Sequence, residues 1–148
     1  MYRHVLIATD GSALAEQAVS HGLSLAKALG AKATALIVEA PFDVGDMPES
    51  RMRPMSEAIA RHSEHTKQHA DGVLSHVAAA AKAANVPCET LPLDHDQPYQ
   101  AIIATAKERD CDVIVMASHG HSGISALLLG SVTNKVLTHS KIPVLVCR

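Results

Sequence analysis

Two short polar clusters stand out because their residue types could hold an anion and a sugar. The first is Thr9-Asp10-Gly11-Ser12. The second is Ser118-His119-Gly120-His121-Ser122-Gly123, which continues to Gly130-Ser131-Val132-Thr133. Ser131 and Thr133 carry hydroxyls that can donate to phosphate oxygens, and the Asp10 carboxylate can accept from a ribose hydroxyl. Gly120, Gly123 and Gly130 permit backbone conformations closed to other residues and let a ligand come close to the chain. If a helix starts after Gly130, its free N–H groups and dipole favour a phosphate there. His119 lies inside this cluster, where it can contact a phosphate or move a proton. Two other phosphate-binding patterns are absent: there is no G-x-x-x-x-G-K-[ST], and no G-x-G-x-x-G follows the first apolar run.

The ten histidines are many for 148 residues. His62, His65, His69 and His76 gather on one flank of a long helical pattern, within roughly 60° of arc at 100° per residue. The i, i+3, i+7 spacing of the first three suits a borderline metal such as zinc. No cysteine or carboxylate completes the set, so a solvated flank is the favoured reading and no metal site is expected.

The elements that must position these residues alternate in type. Val5–Ala8 is a compact apolar run, read as a strand buried on both faces. Leu14–Leu29 is a helix, with Asp10 or Ser12 to cap its start and Gly30 to end it. Ala33–Val38 is a second strand. Residues 39–54 contain Pro41, Gly45, Pro48 and Pro54 and read as a loop. Met55–Ala84 is helical, with Ile59, Thr66, Ala70, Val73 and Val77 on one stripe. Cys88–Leu93 is a third strand. Pro98 opens a helix that runs to about Arg109. Asp112–Ala117 is a fourth strand, Ser131–His139 a helix and Pro143–Cys147 a fifth strand.

This β-α alternation predicts an α/β fold: a doubly wound, five-stranded parallel sheet of order 3-2-1-4-5 with helices on both faces. Residues 1–148 form a single domain. The two polar clusters follow strands 1 and 4, between which the winding reverses, and ligands of such sheets bind at that reversal.

The composition narrows the partners. The net charge is −2 and the only aromatic residues are Tyr2, Phe42 and Tyr99, so the basic groove and stacking rings of a nucleic-acid binder are missing. No apolar run approaches a membrane span, and the opening MYRHVLIATDG lacks a signal-peptide plan; a cytoplasmic protein is expected. Cys88, Cys111 and Cys147 are odd in number and widely spaced, and read as reduced, buried hydrophobes.

Along nearly its whole length the chain resembles the universal stress protein family. The resemblance rests on Val5-Leu6-Ile7-Ala8-Thr9-Asp10-Gly11-Ser12, on Ile114–Gly120, on Leu127-Leu128-Leu129-Gly130-Ser131 and on Ile142-Pro143-Val144-Leu145-Val146. The ATP-binding branch of that family carries G-x2-G-x9-G-[ST]. Here the string is Ala117-x2-Gly120-x9-Gly130-Ser131, with alanine at the first glycine. The resemblance implies adenosine contacts at Ala8, Asp10, Val38, Met116 and Ala117, beside Thr9 of the first cluster. It implies phosphate contacts at His119, Gly120, Gly130, Ser131, Val132 and Thr133. The implied ligand is ATP or AMP, with cyclic AMP in some members and any Mg²⁺ or Mn²⁺ carried by the phosphates.

The implied role is a nucleotide-binding stress-response or regulatory protein. Without a lysine or arginine in the glycine-rich loop, turnover is slow or absent and no catalytic residue is assigned. The alternatives are a weak nucleotide hydrolase and a dimeric interaction module without nucleotide. A homodimer is expected on physical grounds too. The last strand is wholly apolar and lies at the sheet edge, where pairing with a second copy would cover it.

Overall fold

The computed structural model describes residues 1–41, 52–121 and 128–148. Nine elements alternate along the chain: β1 (His4–Ala8), α1 (Ala13–Leu29), β2 (Lys32–Glu39), α2 (Met52–Ala83), β3 (Cys88–Asp94), α3 (Pro98–Glu108), β4 (Val113–Ala117), α4 (Ser131–His139) and β5 (Val144–Cys147). The strands form one sheet of order β3-β2-β1-β4-β5, and every pairing is parallel.

Side-chain alternation along the strands divides the core in two. Val5, Ile7, Ala33, Ala35, Ile37, Val113 and Val115 pack with α1 and α2. Leu6, Leu36, Ile114 and Met116 pack on the opposite face with Ile102 and Ala106 of α3 and Val136 of α4. The central strands β1 and β4 are buried on both faces, which is why they read as unbroken apolar runs. Gly22 lets α1 lie close against the sheet, since a Cβ there would stand 2.6 Å from Ile7 Cγ1.

The helix ends follow local chemistry. The Ser12 hydroxyl accepts from the Ala15 N–H at the start of α1, and Gly30 closes that helix at φ 63°, where a side chain would be strained. Asn85 and Asp110 take the same left-handed conformation just after α2 and α3. The Asp112 carboxylate accepts from the N–H groups of Arg3 and His4, tying the start of β1 to the start of β4.

Most boundaries fall within a residue or two of those read from the sequence. The clearest shift is at α2, which starts at Met52, inside the stretch assigned to a loop. Pro54 is the third residue of that helix, where the missing N–H has no intrahelical partner to lose. The remainder of the expected 39–54 loop, from residue 42 onward, lies outside the described residues. Ala70 and Val77 of the expected α2 stripe are buried, whereas Ile59, Thr66 and Val73 are only partly so.

Candidate functional site

The carboxyl ends of β1 and β4 lie side by side in the sheet. Their following helices pack on opposite faces, α1 on one and α4 on the other, so the chain parts above the strands and leaves a crevice. A cavity of about 660 Å³ occupies it. That is in the usual range for small-molecule sites, roughly 300–1,000 Å³. All twelve residues expected at the site line it: Ala8, Thr9, Asp10, Val38, Met116, Ala117, His119, Gly120, Gly130, Ser131, Val132 and Thr133.

The cavity is two-sided in character. Ala8, Leu36, Val38, Ile102 and Met116 make an apolar wall. Asp10, His119, Gly120, His121, Gly130 and Ser131 make a polar mouth. Among the described residues, no lysine or arginine lines it.

Asp10 joins the two loops. Its Oδ1 accepts from the Ser12 N–H at 2.9 Å, and its Oδ2 accepts from the His121 N–H at 3.1 Å. The His121 ring returns the contact, Nε2–H donating to the Asp10 carbonyl at 2.9 Å, which fixes the proton on Nε2. Gly120 sits between them for lack of space: a Cβ there would stand 2.2 Å from Asp10 Oδ2.

The second loop is held from below. Its Ser118 N–H donates to the Cys147 carbonyl at 2.7 Å, and the Gly130 N–H donates to the Ser118 carbonyl at 2.7 Å. A Cβ on Gly130 would press on that carbonyl at 3.1 Å. Gly130 is the N-cap of α4 and offers no side chain to it, so the first turn of the helix opens toward the cavity uncapped. His119 Nδ1 meets the Ser118 hydroxyl at 2.9 Å, while His119 Nε2 is buried with no partner.

Three features differ from the reading of the sequence. Gly130 has φ −60° and Gly120 is not among the residues of positive φ, so both serve by leaving room rather than by adopting unusual backbone. Among the described residues of the two loops, the positive-φ glycine is Gly11, at 81°, which does not itself line the cavity. The Thr133 hydroxyl donates to the Ala117 carbonyl at 2.8 Å, so its hydrogen is spent on the fold; its place in the first turn of α4 keeps its backbone at the cavity. Ala117 is the last residue of β4, and its methyl belongs to the α1–α2 side of the core. Gly123 lies outside the described residues.

The reading also missed lining residues. Leu36 and Ile102 follow from strand alternation and helix facing once the sheet order is known. Ala15 carries no motif, Pro98 reads only as a helix start, and Leu128 and Leu129 stand in the stretch that carries the family resemblance without being expected at the site. His121 belongs to the second polar cluster, where the local pattern gives it no role of its own. His69 of α2 is exposed, as its place on the helix flank implies. It lies at the rim, its Nδ1–H donating to Glu39 Oε1 at 3.0 Å and its ring centroid 6.2 Å from that of His121. Among the described residues, no three His, Cys, Asp or Glu side chains are grouped to hold a metal.

Known proteins share this architecture and sequence. The Universal stress protein family profile matches residues 1–148. A universal stress protein from Thermus aquaticus is 33% identical, with 100% of each chain covered. The solved structure of the protein MJ0577 superposes with a TM-score of 0.76 at 25% identity, over 99% of this chain and 96% of that one. A universal stress protein solved in complex with cAMP superposes at 0.68 with 26% identity, over 99% and 97%.

Proposed function

The chain belongs to the universal stress protein family, and on that premise we propose that its cavity binds an adenine nucleotide, ATP or AMP, in a cytoplasmic regulatory or stress-response role. The observation that carries this reading is the pairing of an apolar wall with an uncapped helix start in one crevice. Leu36, Val38 and Met116 suit a flat apolar base, and the first turn of α4 with Ser131 suits a phosphate. Asp10, though it already accepts two N–H groups, keeps lone pairs for a ribose hydroxyl. A relative solved with cAMP is consistent with the same ligand class here.

Turnover is slow or absent in this reading. Phosphoryl transfer needs positive charge on the transferring group, and the described lining supplies no lysine or arginine. A Mg²⁺ or Mn²⁺ would ride on the phosphates rather than on a protein cage.

The proposed assembly is a homodimer through β5. The two edges of the sheet are unlike. The β3 edge carries Glu89, Pro92 and Asp94, residues that discourage pairing. The β5 edge is Val144-Leu145-Val146-Cys147, with Leu145 42% exposed.

The test is a fluorescence titration with mant-ATP, read beside the nucleotide released on denaturing undialysed protein. Saturable binding that ATP displaces and inorganic phosphate does not is the expected result. No binding, with no rise in melting temperature at saturating Mg²⁺-ATP, overturns the reading. A monomer mass by light scattering at micromolar concentration overturns the dimer.

A further inference from the structure

The polar mouth of the cavity is unusual in where its positive charge can come from. Residues 4–26 and 113–134, which contain both loops, include no lysine or arginine. The groups there able to become cationic and lining the cavity are His119 and His121. Lys135 of α4 lies over the Tyr99 ring, 5.4 Å from its centroid, and is not part of the lining. The fixed positive end available to an anion is therefore the α4 dipole, about half a charge, with the Asp10 carboxylate facing it across the mouth.

Each histidine has one ring nitrogen uncommitted. His121 uses Nε2–H on the Asp10 carbonyl, which leaves Nδ1. His119, a lining residue, uses Nδ1 with the Ser118 hydroxyl, which leaves Nε2 buried and unpartnered. A buried polar nitrogen without a partner is costly unless a ligand meets it. The other ionisable groups facing this pair are Asp10 from the β1 loop and His69 from α2, the latter held by Glu39 of β2. The walls from α3 and α4 present Pro98, Ile102, Ser131 and Val132, none of them ionisable.

We propose that this site binds its nucleotide phosphate with proton uptake, His119 and His121 becoming the cationic partners of the phosphate, so that nucleotide affinity rises as pH falls. The proposal rests on the nucleotide reading above. The bond and proton balance is simple: a proton from solvent adds to the uncommitted nitrogen of an imidazole, no covalent bond in the ligand changes, and release of the nucleotide returns the proton. Histidine changes charge between about pH 5 and 8, so the linkage falls in the physiological range. One unit of increased proton affinity in the bound state multiplies binding by up to about tenfold per imidazole at acid pH. The adenosine part meets an apolar wall and carries no such dependence.

The experiment measures ATP and adenosine affinities from pH 8.0 to 5.5 by isothermal titration, for the wild type and for the His119→Gln/His121→Gln variant. The phosphates of ATP titrate identically in both samples, so the comparison isolates the protein. The expected result is a wild-type ATP affinity that rises about five- to tenfold over the variant's between pH 8.0 and 5.5, with adenosine flat in both. Wild-type titrations at pH 6.5 in buffers of different ionisation enthalpy give an independent readout: proton uptake with ATP in excess of that released or taken up by ATP itself. Parallel ATP profiles, or no net uptake by the protein, overturn the proposal while ATP binding itself keeps the nucleotide reading. Adenosine binding without ATP binding also overturns it. Failure of both ligands to bind overturns the nucleotide reading and the proposal together. A variant that does not fold leaves the buffer-enthalpy measurement on the wild type to decide.

Discussion

Restoring glycine at position 117 tests where the strand-end methyl points. In β4 the side chains alternate, and Val113, Val115 and Ala117 share the α1–α2 core while Ile114 and Met116 face α3 and α4. The Ala117 methyl is thus buried in the core on the sheet face away from Met116, and alternation turns it from the apolar wall that Met116 helps to form. Ala117→Gly removes one buried methyl, about 0.8 kcal/mol, and adds about 0.5–1 kcal/mol of backbone entropy in a strand. The sum is about 1.5 kcal/mol of lost stability, a fall of about 3–6 °C in melting temperature for a chain of this size. Nucleotide affinity should change less than about twofold, since nothing is added to or removed from the cavity wall. Calorimetric melting and a mant-ATP titration on the same samples give both numbers. A tenfold gain in affinity with unchanged stability would refute the reasoning, because it would mean that the methyl stands against the ligand.

Two further outcomes follow from buried ionisable groups. His4 is buried between β1 and its neighbours, Nδ1–H donating to the Arg109 carbonyl at 2.9 Å and Nε2 accepting from the Thr34 hydroxyl at 2.8 Å. Burial holds its pKa below the ordinary value, outweighing the Arg109 contact that raises it. Its unfolded form therefore protonates first as pH falls, so the stability it contributes is present above about pH 6.5 and is lost as pH falls below that. Urea melts should show a lower midpoint at pH 5 than at pH 7, and the His4 ring resonances should change to the protonated form at a lower pH in the folded protein than in urea; protonation at the same or a higher pH would contradict this. Burial, with Asp112 adding, pushes the Cys111 thiol up to about 11, so Ellman's reagent at pH 8 should leave Cys111 unlabelled in the native protein and label it in urea. Rapid native labelling at that residue would count against its burial.

The fold was legible in the sequence because its central strands are unambiguous. Val5–Ala8 and Val113–Ala117 are apolar at every position, which happens only where both faces are covered, and parallel strands covered on both faces need helices between them. Gly30 and Pro98 punctuated two helices where the chain demands a left-handed residue and a proline-tolerant first turn. Pro54 misled for the same reason: proline reads as a break, yet in a first turn it is harmless. The loops of the site were legible as glycine and hydroxyl clusters, but the causes were not. That Gly120 and Gly130 are small because Asp10 Oδ2 and the Ser118 carbonyl stand where a Cβ would go is a long-range fact, absent from any local pattern. His69 is the plainest case. Helical phase grouped it correctly with His62, His65 and His76, but only the packing of α2 beside β2 gives it Glu39 and a place next to His121.

Asp10 draws these strands together. Its two carboxylate oxygens and its carbonyl oxygen all hold N–H groups, one from its own turn at Ser12 and two from His121 across the crevice. The two bonds to the carboxylate are charge-assisted, roughly twice as strong as neutral ones, and the two from His121 clasp a loop after β4 to a loop after β1, the two strands between which the sheet reverses its winding. The carboxylate therefore shapes the crevice before it meets any ligand. Of the two bonds from His121 only the carbonyl bond uses the ring, so a proton taken up at the free Nδ1, as proposed above, would leave the clasp in place while it supplied charge to a phosphate.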